Sequence, residues 1–241
     1  MHKNNEKLDI GIQIVNYKTK EYLWNCIHDL LKDLQWSKLN FHIFVVDNNS
    51  GDDLSEVEII HTQNPVSFFY SEKNWWFGYG HNLLAKKHDA DYILFVNPDI
   101  QLIQKNTIEN LYNCIASYTS DITVMWVNTN SGRDHGNKIP LRITKAGISI
   151  CKNISDISEV ARVQWSFFLM NKQIFDQLQW FDENFFLYKE EEDLQLRNRL
   201  LWNKNIYNPN ISIQHVWGMN SSRIKAIITS NLYFIKKWIL K

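Results

Sequence analysis

Apolar residues along this chain recur at two spacings that take turns, and the alternation predicts strands and helices in succession. Residues 8–15 place Ile10, Ile12 and Ile14 at every second position, the period of a strand. From Thr19 the spacing lengthens, and Leu23, Ile27, Leu30, Leu31 and Leu34 share one face of a helix. Phe41–Val46 and Val66–Tyr70 read as further strands, and a short helix is expected from the Asn74–Asn82 turn through Lys87. Tyr92–Asn97 carries a run of apolar residues, the pattern of a strand covered on both faces as in a parallel sheet. Pro98 lacks the N–H that a central ladder needs, so that strand must end there.

The second half is less regular. Thr107–Tyr118 reads as a helix and Ile122–Val127 as a strand. Asn128–Lys145 is polar, holds Gly132, Gly136 and Pro140, and is expected to be a long loop. Val163–Met170 returns to a strand pattern, and Asn171 is placed to cap a short helix through Leu178. Leu194–Trp202 is helical and Ile211–Val216 is a late strand. Ser222–Lys241 forms a final helix with Ile224, Ile227, Ile228 and Ile235 on one side and only basic charges. Strands and helices that alternate, with chemistry-capable residues at strand ends, predict an α/β nucleotide-binding fold: a mixed, mainly parallel sheet flanked by helices.

Composition narrows the function. At 241 residues the chain can bury a substantial core. Lys and Arg together number 26, as do Asp and Glu, so no global basic field points to nucleic acid. The 10 Trp, 10 Tyr and 13 Phe suit a carbohydrate- or base-stacking surface, although core packing accounts for most of them. Cys26, Cys114 and Cys151 are odd in number, lack C-x-x-C spacing, and read as reduced thiols of a cytoplasmic protein. The polar start, Met1–Lys7, has no signal-peptide core. No apolar run approaches the ~20 residues of a membrane helix, so a soluble chain is expected.

Several strand-end residues are candidates for chemistry, each with a plainer alternative. Asp99 sits just past the strand that Pro98 ends, where open α/β sheets place ligands. A carboxylate there suits a hard divalent cation bridging to phosphate, whereas Asn97-Pro98-Asp99 is also an ordinary turn sequence. Asp47 ends Val45-Val46-Asp47-Asn48-Asn49-Ser50 and could accept the imide N–H of uracil or thymine, with Asn49 on base or ribose. An Asx-type turn accounts for either residue taken alone. Asn74, Gly78, Gly80 and Asn82 form a glycine-spaced turn into a helix whose free N–H groups suit an anion. An ordinary capped loop is the alternative, and the run is not G-x-G-x-x-G.

Glu190-Glu191-Glu192-Asp193 opens a helix, where acids are favoured by the macrodipole. Asp193 has Arg197 four residues on as a structural partner. Four carboxylates nevertheless exceed what a helix start needs and leave one for another task, such as a general base. A lone histidine such as His215 is more often structural. With Asp99 as partner it would make a metal site and tilt the preference from Mg²⁺ toward Mn²⁺. Arg223, Lys225, Lys236, Lys237 and Lys241 could rest the last helix on a membrane surface. Packing of its isoleucines on the domain is the preferred reading.

In their order and spacing these stretches resemble the family-2 glycosyltransferases, in particular the bacterial rhamnosyltransferase-like branch with its GT-A fold, from Ile12 to about Trp238. Ile14-Val15-Asn16-Tyr17 is similar to that family's opening strand and loop, and Val45–Ser50 to its base-binding turn. Asn97-Pro98-Asp99 resembles the branch's variant of the metal-binding D-x-D motif. Phe181–Tyr188 followed by Glu190–Asp193 is similar to its F-D-E-x-F-F-x-Y-x-E-D-x-D segment. His215, Ser222 and Tyr233–Trp238 echo its C-terminal pattern. Three departures stand out: Trp76 replaces a glycine, Trp165-Ser166 replaces small residues, and Glu191 replaces an aspartate.

The resemblance implies a metal-assisted, inverting transferase. It would carry a sugar, rhamnose by resemblance, from a dTDP- or UDP-sugar to a hydroxyl of a glycan or lipid-linked glycan. The product would belong to a surface polysaccharide such as O-antigen or capsule. Asn16, Tyr17, Asp47, Asn49, Asn74, Gly78 and Asn97 would serve the nucleotide, Asp99 and His215 a Mn²⁺ or Mg²⁺ ion, and Glu191 the base role with Glu190 in support. Residues 1–221 would form the GT-A domain, with a nucleotide half over about 8–100 and an acceptor half over about 101–221. Residues 222–241 would be a basic helix packed on it, offering peripheral contact with the inner face of a membrane. Two other readings are a sugar nucleotidyltransferase and a silent nucleotide- or glycan-binding module. The first needs a glycine- and lysine-rich triphosphate loop that residues 16–21 do not supply.

Overall fold

The computed structural model describes residues 7–118, 122–131, 141–144, 147–150, 155–160, 166–216 and 224–240. β1 (Ile10–Asn16) is buried along its whole length and lies parallel to β2 (Phe41–Asp47) on one side and β4 (Tyr92–Val96) on the other. β3 (Val66–Tyr70) extends the sheet beyond β2, again in parallel. Parallel neighbours need crossover connections, and α1 (Lys20–Asp33), α2 (Ser55–His61) and α3 (Trp76–Ala85) provide them. The order of strands therefore reverses between β1 and β4, the point at which open sheets leave a crevice at their carboxyl ends.

The second half closes the other edge. β5 (Ile100–Leu102) and α4 (Thr107–Ala116) lead into β6 (Ile122–Ser131), and β7 (Leu141–Thr144) pairs with β8 (Gly147–Ile150) apart from the main sheet. After β9 (Ser158–Glu159), β10 (Phe167–Asn171) runs antiparallel between β4 and β6. α5 (Lys172–Gln177) and α6 (Glu190–Leu200) precede β11 (Lys204–His215), which is parallel to β6 and antiparallel to β5 and β9. The main sheet runs β3-β2-β1-β4-β10-β6-β11-β5, with β9 on β11. The architecture is the mixed, mainly parallel α/β sheet that the spacing of apolar residues predicts.

The apolar run of β4 is explained by burial on both faces. Leu94 and Val96 join the isoleucines of β1 and the inward face of α1 in one core, and Ile93 and Phe95 point into another. In that second core Phe95 stacks on Phe168 with centroids 4.5 Å apart and meets Phe175 and Phe181 edge-on at 5.2 and 5.4 Å. Phe181 thereby pins the segment that leads to the acidic run. On the opposite flank Gly80 lets α3 approach the sheet closely: a Cβ there would lie 2.9 Å from Val15 and 3.4 Å from Val46.

Elsewhere the structure corrects the reading from sequence. Residues 128–145 are not one loop, because β6 continues to Ser131 and β7 occupies 141–144; the rest lies outside the described residues. The late strand begins at Lys204 rather than Ile211, with a register shift between Asn208 and Ser212 around Pro209. Its first part is polar because buried Asn205 accepts a hydrogen bond from Asn198 of α6 at 2.9 Å, a pairing that no hydrophobic periodicity announces. α6 begins at Glu190, so the acidic run opens the helix as the sequence suggests, and the helix ends at Leu200 rather than Trp202. α2 and β5 were not anticipated. Asn171 does cap α5, accepting from Ile174 N at 3.0 Å. Cys26 and Cys114 are free thiols, and Cys151 lies outside the described residues.

Two of the isoleucines expected to pack on the domain, Ile228 and Ile235, face outward on the last helix, α7 (Ile224–Trp238). The helix docks through polar and aromatic groups. Tyr233 Oη and Lys237 Nζ donate to Asp182 at 2.9 and 2.7 Å. Lys237 also reaches Asp193 at 2.6 Å, and Trp238 Nε1 donates to Asp193 at 2.9 Å. Ile228, Leu232, Ile235 and Ile239 stand 55, 63, 40 and 66% exposed. Among its described side chains the helix is held by ion pairs with buried Asp193 and with Asp182, not by Ile228 or Ile235. Lys237→Met keeps the apolar stem and removes the ammonium, and should cost about 1–3 kcal/mol, read as a lower urea midpoint at unchanged slope. An unmoved midpoint would show that these ion pairs do not tether α7.

Candidate active site

The carboxyl ends of β1 and β2 are stitched together by side chains. In the β1–β2 register Asn16 lies level with Asp47. Asn16 Nδ2 donates to Asp47 Oδ1 at 2.7 Å and to Asp52 Oδ2 at 3.1 Å, while its Oδ1 accepts from Thr19 at 2.7 Å. Asp47 also accepts from Ser50 N at 3.1 Å and from Ser50 Oγ at 2.5 Å. The Asx-type turn is thus present, and Asp47 is a buried acceptor already held in a fixed orientation. Asn49 is exposed with φ of 54°, and Tyr17 lies half-exposed at the rim.

Asn48, not singled out from the sequence, does more than its neighbour. Its Nδ2 donates to Asn74 Oδ1 at 2.9 Å and to the Trp76 carbonyl at 3.0 Å, and its Oδ1 accepts from Trp75 N at 3.1 Å. The turn before α3 is therefore clamped to the end of β2. Gly78 faces protein, with Phe181 3.0 Å and Glu190 4.0 Å from where its Cβ would stand. That glycine makes room for the acidic run against α3. Asn82 fixes the same contact, donating to the Phe181 carbonyl at 2.9 Å and Glu183 at 3.0 Å and accepting from Phe181 N at 2.9 Å. Neither Asn48 nor Asn82 has a signal in periodicity, since their partners lie up to 101 residues away.

At the end of β4, Asn97 donates its backbone N–H to the Ser166 carbonyl at 2.8 Å. Asp99 follows, and its carboxylate lies 3.0 Å from His215 Nε2. The β11–β5 register sets His215 level with Ile100, so the pair expected from sequence is a direct contact. Among the described residues no group of three His, Cys, Asp or Glu converges on one point. Trp165, Ser222 and Arg223 lie outside the described residues.

The four acids at the start of α6 divide by environment. Asp193, fully buried, is paired with Arg197 at 2.7 Å as well as with Lys237 and Trp238. Glu192 accepts from Lys189 at 2.7 Å. Glu190 and Glu191 are 3 and 6% exposed, and Glu190 Oε2 has no hydrogen-bond partner. Burial, then the charge of Glu191, pushes the Glu190 carboxyl up to about 8. Nearby, burial works to raise Asp182, but hydrogen bonds from Lys237, Asn184 and Tyr233 outweigh it and hold that carboxyl at about 2. The backbone reaches the acids through a sharp turn, with Tyr188 and Lys189 at φ of 70° and 76°.

The family model described as Glycosyl transferase family 2 matches residues 12–189. The chain belongs to that family. No curated protein sequence is similar to it. Among solved structures it is similar to GalNAc-T7, at 14% identity and a TM-score of 0.70 over 91% of this chain and 46% of that one. It is also similar to TarS of S. aureus, at 16% identity and a TM-score of 0.68 over 87% and 60%. The mannosyltransferase PcManGT of Pyrobaculum calidifontis gives 8% identity and a TM-score of 0.71 over 96% and 65%. The chain thus spans about half to two thirds of those chains, and the likeness establishes a GT-A-type fold for this family-2 member.

Glu190 gives the site a pH signature. Its folded value of about 8 exceeds the ordinary 4.5, so the folded protein keeps a proton that the unfolded chain has released. That contribution is fully present below pH ~4.5 and is lost as pH rises toward ~8. Glu190→Gln should flatten the decline in melting temperature between pH 5 and 8. Parallel profiles for parent and variant would show that Glu190 ionises as an ordinary surface acid.

Proposed function

We propose that this family-2 chain is an inverting glycosyltransferase that moves a sugar from a nucleotide diphosphate to an acceptor hydroxyl of a growing glycan. One observation carries the reading: Glu190, buried beside Glu191, packs against Gly78 of α3, whose entry turn is clamped to the strand end that carries Asp47. Asn16, Tyr17, Asp47, Asn49, Asn74 and Asn97 form the proposed nucleotide side, in a half over about 8–100, with the acceptor half over about 101–221; Gly78, expected there from the sequence, instead packs on Phe181 and Glu190. A dTDP- or UDP-sugar is the proposed donor, with rhamnose favoured by resemblance. The solved GalNAc-T7 contains UDP and Mn²⁺, TarS has been solved with UDP-GlcNAc, and PcManGT with GDP-Man and Mn²⁺, which supports a nucleotide-sugar donor.

One carboxylate and one imidazole, Asp99 and His215, fit a Mn²⁺ or Mg²⁺ ion, the imidazole favouring Mn²⁺. Two side chains leave coordination positions for phosphate oxygens, as is usual for such sites. When bound, the ion takes up negative charge on the departing diphosphate. The chain supplies the proton transfer. Burial and the charge of the adjacent Glu191 raise the Glu190 carboxyl, which suits it to a supporting rather than a proton-accepting role. Glu191, which the family resemblance aligns with the base, is the carboxylate proposed to accept the proton of the acceptor hydroxyl while it attacks the anomeric carbon from the face opposite the leaving group. Glu191→Gln should retain nucleotide binding and lose at least ~10²-fold in sugar transfer, the low end for a positioned base. Near-parental transfer would place the base elsewhere. Saturable nucleotide binding by the parent, with neither transfer nor donor hydrolysis, would make the chain a binding module.

The acceptor is a glycan or lipid-linked glycan, and α7 supports a membrane location for the reaction. Among the described residues no helix is long and apolar enough to cross a membrane. The outward row Ile228, Leu232, Ile235 and Ile239, beside exposed Lys236, suits a helix lying at an anionic lipid surface. The parent should sediment with phosphatidylglycerol-containing vesicles, and Leu232→Glu should sediment less. Equal sedimentation of the two would overturn the contact.

A further inference from the structure

Trp76 opens α3 with φ of 72°, a backbone region in which a bulky side chain is an outlier. Strain of this kind persists only where the surroundings over-determine it. Here they do: Asn74 Oδ1 accepts from Trp76 N at 2.9 Å, Asn48 Nδ2 donates to the Trp76 carbonyl at 3.0 Å, and Asn48 Oδ1 accepts from Trp75 N at 3.1 Å. Glycine would occupy the same backbone without strain. The turn therefore does not explain the tryptophan, and its ring must.

That ring lies with its centroid 3.4 Å from Phe186, tilted by 44°, and both residues are partly exposed. Beside it Trp75, 40% exposed, stacks on Tyr79 at 5.2 Å and 26°, with the Lys73 ammonium 3.3 Å from its ring centroid. These rings are separate from the core cluster around Phe95. They come from the first turn of α3 and from the segment just before Glu190, and Gly78, two residues past Trp76, packs on Glu190 itself. A cluster of partly exposed aromatic rings, carried on the helix turn whose Gly78 packs on Glu190, suits a pyranose, whose C–H face is apolar and whose rim is hydroxylic.

We propose that Trp76 and Phe186, flanked by Trp75 and Tyr79, form a saccharide-stacking subsite that sets a sugar ring against Glu190 and Glu191. The proposal rests on the transferase reading for which ring is bound, and the donor sugar and the acceptor sugar present the same chemistry. Calorimetry with Mn²⁺ separates them. UDP, UDP-glucose, UDP-N-acetylglucosamine and dTDP-rhamnose probe the donor side. Methyl glycosides of glucose, N-acetylglucosamine and rhamnose, added with UDP present, probe the acceptor side. The variants are Trp76→Gly, which relieves the backbone and removes the ring, and Trp76→Phe, which restores an aromatic face.

The expected result is that Trp76→Gly keeps its melting temperature and its UDP affinity but loses at least tenfold in one sugar arm, with substantial recovery in Trp76→Phe. Loss of the margin of nucleotide sugar over UDP identifies a donor subsite, and loss of glycoside binding identifies an acceptor subsite. Unchanged sugar binding, a parent that binds no sugar probe, or a lower melting temperature with binding intact would overturn the proposal. An equal loss for UDP itself would also overturn it, since the ring would then stack on the base. A parent that binds glycosides but no nucleotide would defeat the transferase reading and leave the subsite to the glycoside arm alone.

Discussion

Everything at the candidate site hangs from the pairing of β1 with β2 on one side and β4 on the other. Because all three strands run in parallel, their carboxyl ends reach one edge together, and their connections must leave it on helices. That geometry gathers Asn16, Asp47 and the Asn97–Asp99 turn, residues up to 83 positions apart. β4 tolerates this central place only because both its faces are apolar. A polar residue on either face would be buried without a partner.

The second dependency is the close approach of α3. Small residues at Gly78 and Gly80 let the helix lie against Phe181 and Glu190 on one side and Val15 and Val46 on the other. Asn48 and Asn82 then lock it in place, one to the turn that ends β2 and one to the segment before the acids. α3 is the part through which the strand ends and the acidic pair share one rigid frame. A displacement of this helix would move both halves of the proposed chemistry at once.

Electrostatics sorts four adjacent acids into different states. Asp193 is paired with Arg197, Lys237 and Trp238, and Glu192 with Lys189. Glu190 has no cation and instead holds its proton. The same compensation anchors α7, since the ammonium that neutralises Asp193 and Asp182 belongs to that helix. Stability of the last helix and order around the acids are therefore one interaction seen from two ends.

The alternating periods of apolar residues determined the α/β class, the first four strands, and the placement of Asp47 and Asp99 at strand ends, because burial on one or both faces writes a period directly into the chain. The contact of Asp99 with His215 was also legible, since a histidine and a carboxylate at strand ends have few other partners. The polar start of β11, the Asn48 and Asn82 clamps and the outward turn of the α7 isoleucines were not. Each depends on a hydrogen bond or ion pair between separate elements: Asn205 of β11 with Asn198 of α6, Asn82 with Phe181, Lys237 with Asp193. Such pairs satisfy buried polar groups at single positions and carry no period, so only the tertiary structure decides which polar residue meets which.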